Sequence, residues 1–240
     1  MTLHRKDALR SDRQTVILEQ VAETGYVTIE ALAARFGVST QTVRRDIIAL
    51  AESGRLQRFH GGAGPVGATE AARLDHGAKR EIGRPEKAIV GRRAAAMVPD
   101  GAAVFLDVGT TIEACARELA RRQGFVVFTN SMRAAMEFDP ALHEVHVLGG
   151  RMAGRDGSLV GEGVVEMLRN VRLDVALIAC SAVEEGGQVM DFDLSKIAVK
   201  RAAMAASNRS LLLATRSKFG RRALGTIGPV DRFDALVTED

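Results

Sequence analysis

The chain has 240 residues, enough for one large domain or for a small domain joined to a mid-sized one. With 46% hydrophobic and 26% charged residues it is not a globally disordered chain, and a net charge of +3 does not by itself imply a nucleic-acid partner. Its two cysteines, Cys115 and Cys180, lie far apart in apolar segments, which excludes a disulfide framework and reads as buried thiols in a reducing cytoplasm.

The N-terminal MTLHRKDALRSDR is polar, without the apolar core of a signal peptide, and no apolar run nears the ~20 residues that span a bilayer. No membrane partner is expected, and a cytoplasmic location is. From Asp12 the apolar residues follow a helical period, with Ile17, Leu18 and Val21 on one face of a first helix that Gly25 stops. Thr28 caps a second, with Ile29, Leu32, Ala33 and Phe36 as its stripe, and Gly37 ends it with the positive φ of a tight turn. Ser39 caps a third helix in which Val43, Ile47 and Leu50 are the buried stripe. Gly54 closes it, and RLQRFH (55–60) reads as a short strand ahead of Gly61 and Gly62.

Three short helices, a tight turn and a hairpin describe a winged helix-turn-helix. With its apolar stripe turned inward, the third helix leaves Thr40, Gln41, Arg44 and Arg45 on the outer face. Arg bonds a guanine edge bidentately and Gln an adenine edge, while the hydroxyls of Ser39, Thr40 and Thr42 suit phosphates. Arg55, Arg58 and His60 put a second basic patch on the wing. An isolated Arg-Arg pair is more often a solvated helix face. The capped helix, glycine turn, basic outer face and basic wing in that order point to double-stranded DNA.

Residues 1–62 are therefore read as the DNA-binding domain, the Gly- and Ala-rich stretch 63–78 as a linker, and 79–240 as a second domain. Pro85 opens a helix through Ile89, Val90 and Met97. Strand-like runs follow at 103–107, 125–129, 144–148, 175–180 and 210–214, separated by helical patterns such as IEACARELARR and 195–207. Near-continuous apolar strands alternating with helices predict an α/β domain with a mainly parallel sheet covered on both faces.

In such a sheet, ligands bind beyond the carboxyl ends of the strands. LDVGTT (106–111) follows the first strand, so Gly109 allows close backbone approach and Thr110 and Thr111 join backbone amides around an anion. Thr129, Asn130 and Ser131 follow the next strand, Gly149 and Gly150 the third, and Lys218 comes after the last. One such loop is an ordinary turn; three at equivalent positions predict a shared pocket for a phosphorylated small molecule. His143 and His146 lie where the chain enters a strand, so alternation does not aim them together; no metal site is expected and both are read as surface or edge residues.

The stretch from Arg13 to Ala63, above all VSTQTVRRDI and GRLQRFHGGA, resembles the DNA-binding domain of the DeoR family of bacterial regulators, and the resemblance continues through the second half. It implies a homodimer or homotetramer that binds operator DNA as a repressor of carbohydrate or polyol genes and answers to a phosphorylated metabolite, with no cofactor. It also implies a sensor domain resembling ribose-5-phosphate isomerase and the coenzyme A transferases. In such domains the DxGTT loop, the TNS loop and the Lys of a VKR helix line the sugar-phosphate site, which adds Asp107 and Lys200 to the loop residues above. MDFD (190–193) with SKFGR is similar to the glycerol-3-phosphate regulon repressors within the family, which nominates glycerol 3-phosphate as effector. Two departures stand out: Thr215 replaces the family's Asp in TRSKFG, and Lys196 lies near the place of a customary Glu.

The rival reading is an enzyme, a sugar-phosphate isomerase or transferase with an appended DNA-binding domain. It needs a positioned general base, for which Asp107, Asp191 and Asp193 are available, but no second catalytic signature accompanies them.

Overall fold

A computed structural model describes residues 3–24, 27–59, 62–64, 76–153 and 156–240. The chain divides into two compact units, Met1–Ile82 and Gly83–Asp240.

The first unit holds helices α1 (Leu3–Thr24), α2 (Ile29–Phe36) and α3 (Thr40–Glu52) and strands β1 (Val27–Thr28), β2 (Gln57–Phe59) and β3 (Gly62–Gly64). Both caps form as the sequence predicts. Thr28 Oγ1 accepts from Ala31 N at 3.0 Å and Ser39 Oγ from Thr42 N at 3.2 Å. Gly37 closes α2 at φ 62°, a conformation that costs an L side chain about 1–2 kcal/mol. Ile17, Val21, Ile29, Leu32, Val43, Ile47 and Leu50 form one core with Leu56 and Ala63, while Phe36 is only half-buried. The strands order β1-β3-β2 with antiparallel pairing, so that Arg58 faces Ala63 across the hairpin. This is a winged helix-turn-helix. Gly25, His60 and Gly61 lie outside the described residues, as do 65–75 of the stretch read as linker. Within that stretch β3 continues to Gly64, and a short helix α4 spans His76–Glu81.

The second unit opens with α5 (Arg84–Ala96), in which proline sits at the first turn as expected. Six strands build its main sheet: β4 (Ala103–Leu106), β5 (Val126–Thr129), β6 (Glu144–Val147), β9 (Leu173–Ala179), β12 (Ser207–Leu213) and β14 (Ala235–Val237). All adjacent pairs are parallel, in the order β14-β12-β9-β4-β5-β6. Helices α6 (Thr110–Leu119), α7 (Met132–Ala135), α8 (Glu162–Arg169) and α9 (Leu194–Ala206) separate them.

Alternation divides each strand between two cores. Val104, Leu106, Val175, Leu177, Leu211 and Leu213 pack with α5 and α6 on one face. Phe105, Ala176, Ile178 and Leu212 pack with α8 and α9 on the other. In β9, and at the ends of β4 and β12, successive apolar positions are thus buried on alternate faces. Gly91 lets α5 and α6 approach closely, since a Cβ there would stand 2.7 Å from Ala114 C and Cys115 N.

Two small sheets were not foreseen. A hairpin of β7 (Arg151–Ala153) and β8 (Ser158–Val160) follows β6, and β10 (Ala182–Val183), β11 (Gln188–Asp191) and β13 (Gly225–Pro229) form an antiparallel trio. His143 also departs from expectation. It is buried at 4% exposure, stacked on Phe125 and edge-on to Phe138, because its ring fills an aromatic slot under the sheet's edge strand. His146 is half-exposed, stacked on Phe128 and 2.7 Å from Glu144.

Candidate functional site

On α3 the inward stripe leaves Ser39, Thr40, Gln41, Arg44 and Arg45 exposed, with Thr42 half-buried. Ser39 Oγ and Thr42 Oγ1 lie 3.0 Å apart, so part of their capacity is spent on capping. Arg55 and Arg58 are exposed at the wing. Hydrophobic periodicity did not mark Asp46, which shares the inward face at 1% exposure. Its Oδ2 accepts from Arg13 Nε of α1 at 2.5 Å. A carboxylate on an otherwise apolar face was the available signal, because burying one demands a partner.

In the second unit the strand order runs outward from β4 to β6, returns to β9 and runs outward again to β14. The reversal between β4 and β9 is a topological switch point, the position at which sheets of this kind take ligands beyond the carboxyl ends of their strands. The residues there form one polar cluster. Asp107, immediately after β4, takes a hydrogen bond from Ala179 N of β9 at 3.0 Å and pairs with Lys200 Nζ through the same oxygen, Oδ2. Lys200 lies on α9 at 1% exposure and also donates to Ala179 O at 3.1 Å. A second carboxylate oxygen, Asp191 Oδ2 at the end of β11, is 3.4 Å from its ammonium. Asp191 Oδ1 in turn accepts from Ser181 Oγ at 2.8 Å. Burial alone would lower the Lys200 pKa, but the charges of Asp107 and Asp191 outweigh it and hold it above the ordinary lysine value. Asp191, also penalised by burial, is nevertheless held below the usual carboxylate range by Lys200 and Ser181.

Gly109 follows at φ 128°, a backbone conformation that favours glycine, and precedes α6, so Thr110 and Thr111 occupy its first turn. Thr129, one strand over, is wholly buried. Its hydroxyl donates to Leu106 O at 2.7 Å and accepts from Ser131 N at 3.0 Å. Asn130 Nδ2 donates to Leu159 O at 2.9 Å, and Ser131 Oγ caps α7 by accepting from Ala134 N at 3.1 Å. Gly149 and Gly150 follow β6; a Cβ on Gly150 would meet Val160 O at 2.7 Å, so this glycine admits the β8 backbone. Lys218 is half-buried in a short 3-10 turn, Arg216–Lys218. It acts on Cys180 at the end of β9, whose thiol burial pushes up to about 12 against the pull of Lys218 and Lys200.

The loops after β4, β5 and β6 thus stand side by side, while Asp107, Lys200, Asp191 and Cys180 converge at the β4–β9 reversal. The two departures also have structural partners. Thr215 Oγ1 is 2.9 Å from Ser217 Oγ, and Lys196 Nζ is 2.5 Å from Asp156 Oδ2 beside β8. Among the described residues no group of three His, Cys, Asp or Glu is placed to hold a metal ion, and no helix is long and apolar enough to cross a membrane.

Residues 13–67 match the DeoR-like helix-turn-helix domain, and residues 83–240 match the DeoR C terminal sensor domain. The chain belongs to the DeoR family. Among DeoR-family relatives, the glycerol-3-phosphate regulon repressor of Escherichia coli is 32% identical over 96% of this chain and 91% of its own length. The HTH-type transcriptional repressor CsqR of the same organism is 34% identical over 95% of this chain and 87% of its own. GlcR of Bacillus subtilis, also an HTH-type transcriptional repressor, is 29% identical over 96% and 88%. Ribose 5-phosphate isomerase A of Methanocaldococcus jannaschii is a distant structural neighbour, 18% identical with a TM-score of 0.43, covering 57% of this chain and 55% of its own.

Proposed function

We propose that this DeoR-family chain is a DNA-binding transcriptional repressor of carbohydrate or polyol genes, controlled by a phosphorylated metabolite at the β4–β9 crevice. The observation that carries the reading is the outer face of α3, where Thr40, Gln41, Arg44 and Arg45 are all exposed beside a basic wing. In this reading α3 enters the major groove, Arg44, Arg45 and Gln41 address base edges, and Ser39, Thr42, Arg55, Arg58 and His60 address phosphates. Residues 1–62 form the DNA-binding domain and 79–240 the sensor. Two or four copies associate, because a single head covers only one half-site of an operator.

The phosphoryl group is taken by Gly109, Thr110 and Thr111 at the start of α6, with Asn130, Ser131, Gly149, Gly150 and Lys218 around it. Asp107, Thr129 and Lys200 complete the site from beneath: Asp107 and Lys200 are bonded to each other and to Ala179 of β9, and Thr129 to Leu106 of β4, so they also hold these loops in place. Glycerol 3-phosphate is the effector nominated by likeness to the regulon repressors. It acts by binding two arrangements of the protein with different affinities.

The test is fluorescence anisotropy on a DNA duplex that the protein itself selects from a random pool, titrated with a panel of sugar phosphates that includes glycerol 3-phosphate. A shift in DNA affinity with one phosphate, lost in Thr110→Ala with Thr111→Ala, supports the reading. No selected duplex at all refutes the repressor function. Binding that no phosphate alters refutes the sensor.

A further inference from the structure

We propose that Asp156 and Lys196 form an exchangeable latch at the crevice rim: the effector's phosphoryl group takes the Lys196 ammonium from Asp156 and releases segment 156–160 from α9. This rests on the effector reading above and adds to it a phosphate-binding residue and the element that moves.

Lys196 and Lys200 lie four residues apart and so share one face of α9, one turn apart. The two ammonium groups differ in their surroundings. Lys200 is enclosed and faces two carboxylates, Asp107 and Asp191, so another anion arriving there meets an excess of negative charge. Lys196 bonds a single carboxylate, Asp156, while Asp191 acts on it from farther off, and the side chains of Lys196 and Asp156 retain 14% and 19% exposure. Exchange at Lys196 replaces a monoanion by a dianion and returns Asp156 to water near the surface. Lys196 also sits in the first turn of α9, where the helix dipole disfavours a lone cation and favours an anion beside it.

Release has somewhere to go. β7 and β8 pair over only three registers, and a two-stranded ribbon is marginal without ties to its neighbours. Its ties run two ways. Asp156 binds α9, while Leu159 N donates to Asn130 O at 2.7 Å and Met132 N to Gly157 O at 3.1 Å. Gly149 and Gly150 precede the ribbon and Gly161, at φ 132°, follows it. Losing the α9 tie therefore transmits the ligand's arrival to the loop that ends β5.

The experiment titrates the full chain with inorganic phosphate and with glycerol 3-phosphate by calorimetry, and follows hydrogen exchange of the amides of 157–159. In Asp156→Asn phosphate binds more tightly, and in Lys196→Gln about tenfold more weakly; exchange at 157–159 is fast in both. Phosphate saturation of the wild type accelerates the same amides. The charge swap Asp156→Lys with Lys196→Asp restores protection of the Leu159 amide but not phosphate affinity; Ser158 N, which donates to Asp156 Oδ1 at 3.2 Å, stays exposed to exchange in it. Affinity changes of one sign in both single variants, or amides that stay protected at saturation, overturn the latch. If Thr110→Ala with Thr111→Ala weakens binding while neither latch variant alters it, the latch fails alone and the effector reading stands. If the wild type binds neither phosphate, both fall.

Discussion

Arg13 and Asp46, 33 positions apart, join α1 to the inner face of the helix that presents Arg44 and Arg45, with Nε and Oδ2 2.5 Å apart. The Asp46 side chain is 2% exposed and that of Arg13 17%, so the bond runs from the core of the head to its partly exposed margin. It ties the orientation of α3 to α1 through a bond that hydrophobic packing alone does not specify.

Arg13→Met leaves Asp46 short of its charge partner. The expected loss in the head is about 2–4 kcal/mol, in line with breaking other buried pairs. A fall of its thermal midpoint by about 10 °C or more, followed by circular dichroism, bears this out. An unchanged midpoint means that the other groups around Asp46 suffice.

Arg44→Ala with Arg45→Ala removes two cations from the outer face of α3 and leaves the buried stripe intact. DNA affinity falls, and the slope of log affinity against log salt drops by about 1 for each phosphate no longer neutralised. Anisotropy titrations at several salt concentrations read both quantities. A slope and affinity equal to wild type would place the DNA elsewhere.

Lys200→Met strands Asp107 and Asp191 in the sensor domain without their cation. Breaking such a buried arrangement costs about 3–5 kcal/mol, which lowers the domain's midpoint by roughly 6–20 °C. Adding Asp107→Asn recovers part of the loss by removing one stranded charge. Calorimetric scans of the two variants make the comparison.

Asp156 is penalised by burial, yet the hydrogen bond and charge of Lys196 hold its carboxyl below the ordinary value. A group with a lowered folded pKa contributes stability that is present above its unfolded value, about 4, and is lost as pH falls through the folded one. Wild type therefore exceeds Asp156→Asn by up to about 1 kcal/mol at pH 6, and the difference vanishes as pH drops well below 4. Urea titrations across that range measure it. A gap that persists at the lowest pH would exclude the ion pair as its source.

Gly91→Ala inserts a Cβ at 2.7 Å from the backbone of Ala114 and Cys115. Backbone atoms cannot rotate aside, so α5 and α6 must separate, at a cost of about 1–3 kcal/mol. A lowered denaturation midpoint for the sensor domain is the expected result, whereas a midpoint at or above wild type would show that the helices part freely.

The head was almost wholly legible in sequence. Thr28, Gly37 and Ser39 mark its helix boundaries through local backbone chemistry, and Val43, Ile47 and Leu50 give the buried face by periodicity alone. The five strand-like runs of the second half likewise became β4, β5, β6, β9 and β12; in the central β4 and β9 burial on both faces requires apolar side chains at successive positions, while the edge strand β6 is mostly exposed. The short strands β7, β8, β10, β11 and β13 escaped notice, being only two to five residues long. For His143, strand-entry position suggested an edge residue, while the slot between Phe125 and Phe138 decided its burial.

The sequence by itself determined the local elements, their caps, the outer face of α3 and which loops follow which strands, since each depends on residues within a few positions. Only the tertiary structure decided which of those loops stand side by side, because that follows from the strand order β9-β4-β5-β6. It also decided the partners of Lys200, Lys196 and Asp46. Lys200 meets Asp107 across 93 positions and Lys196 meets Asp156 across 40. Ion pairs across such distances leave no periodic trace in the chain. They form where folding brings a buried charge to the one group able to compensate it.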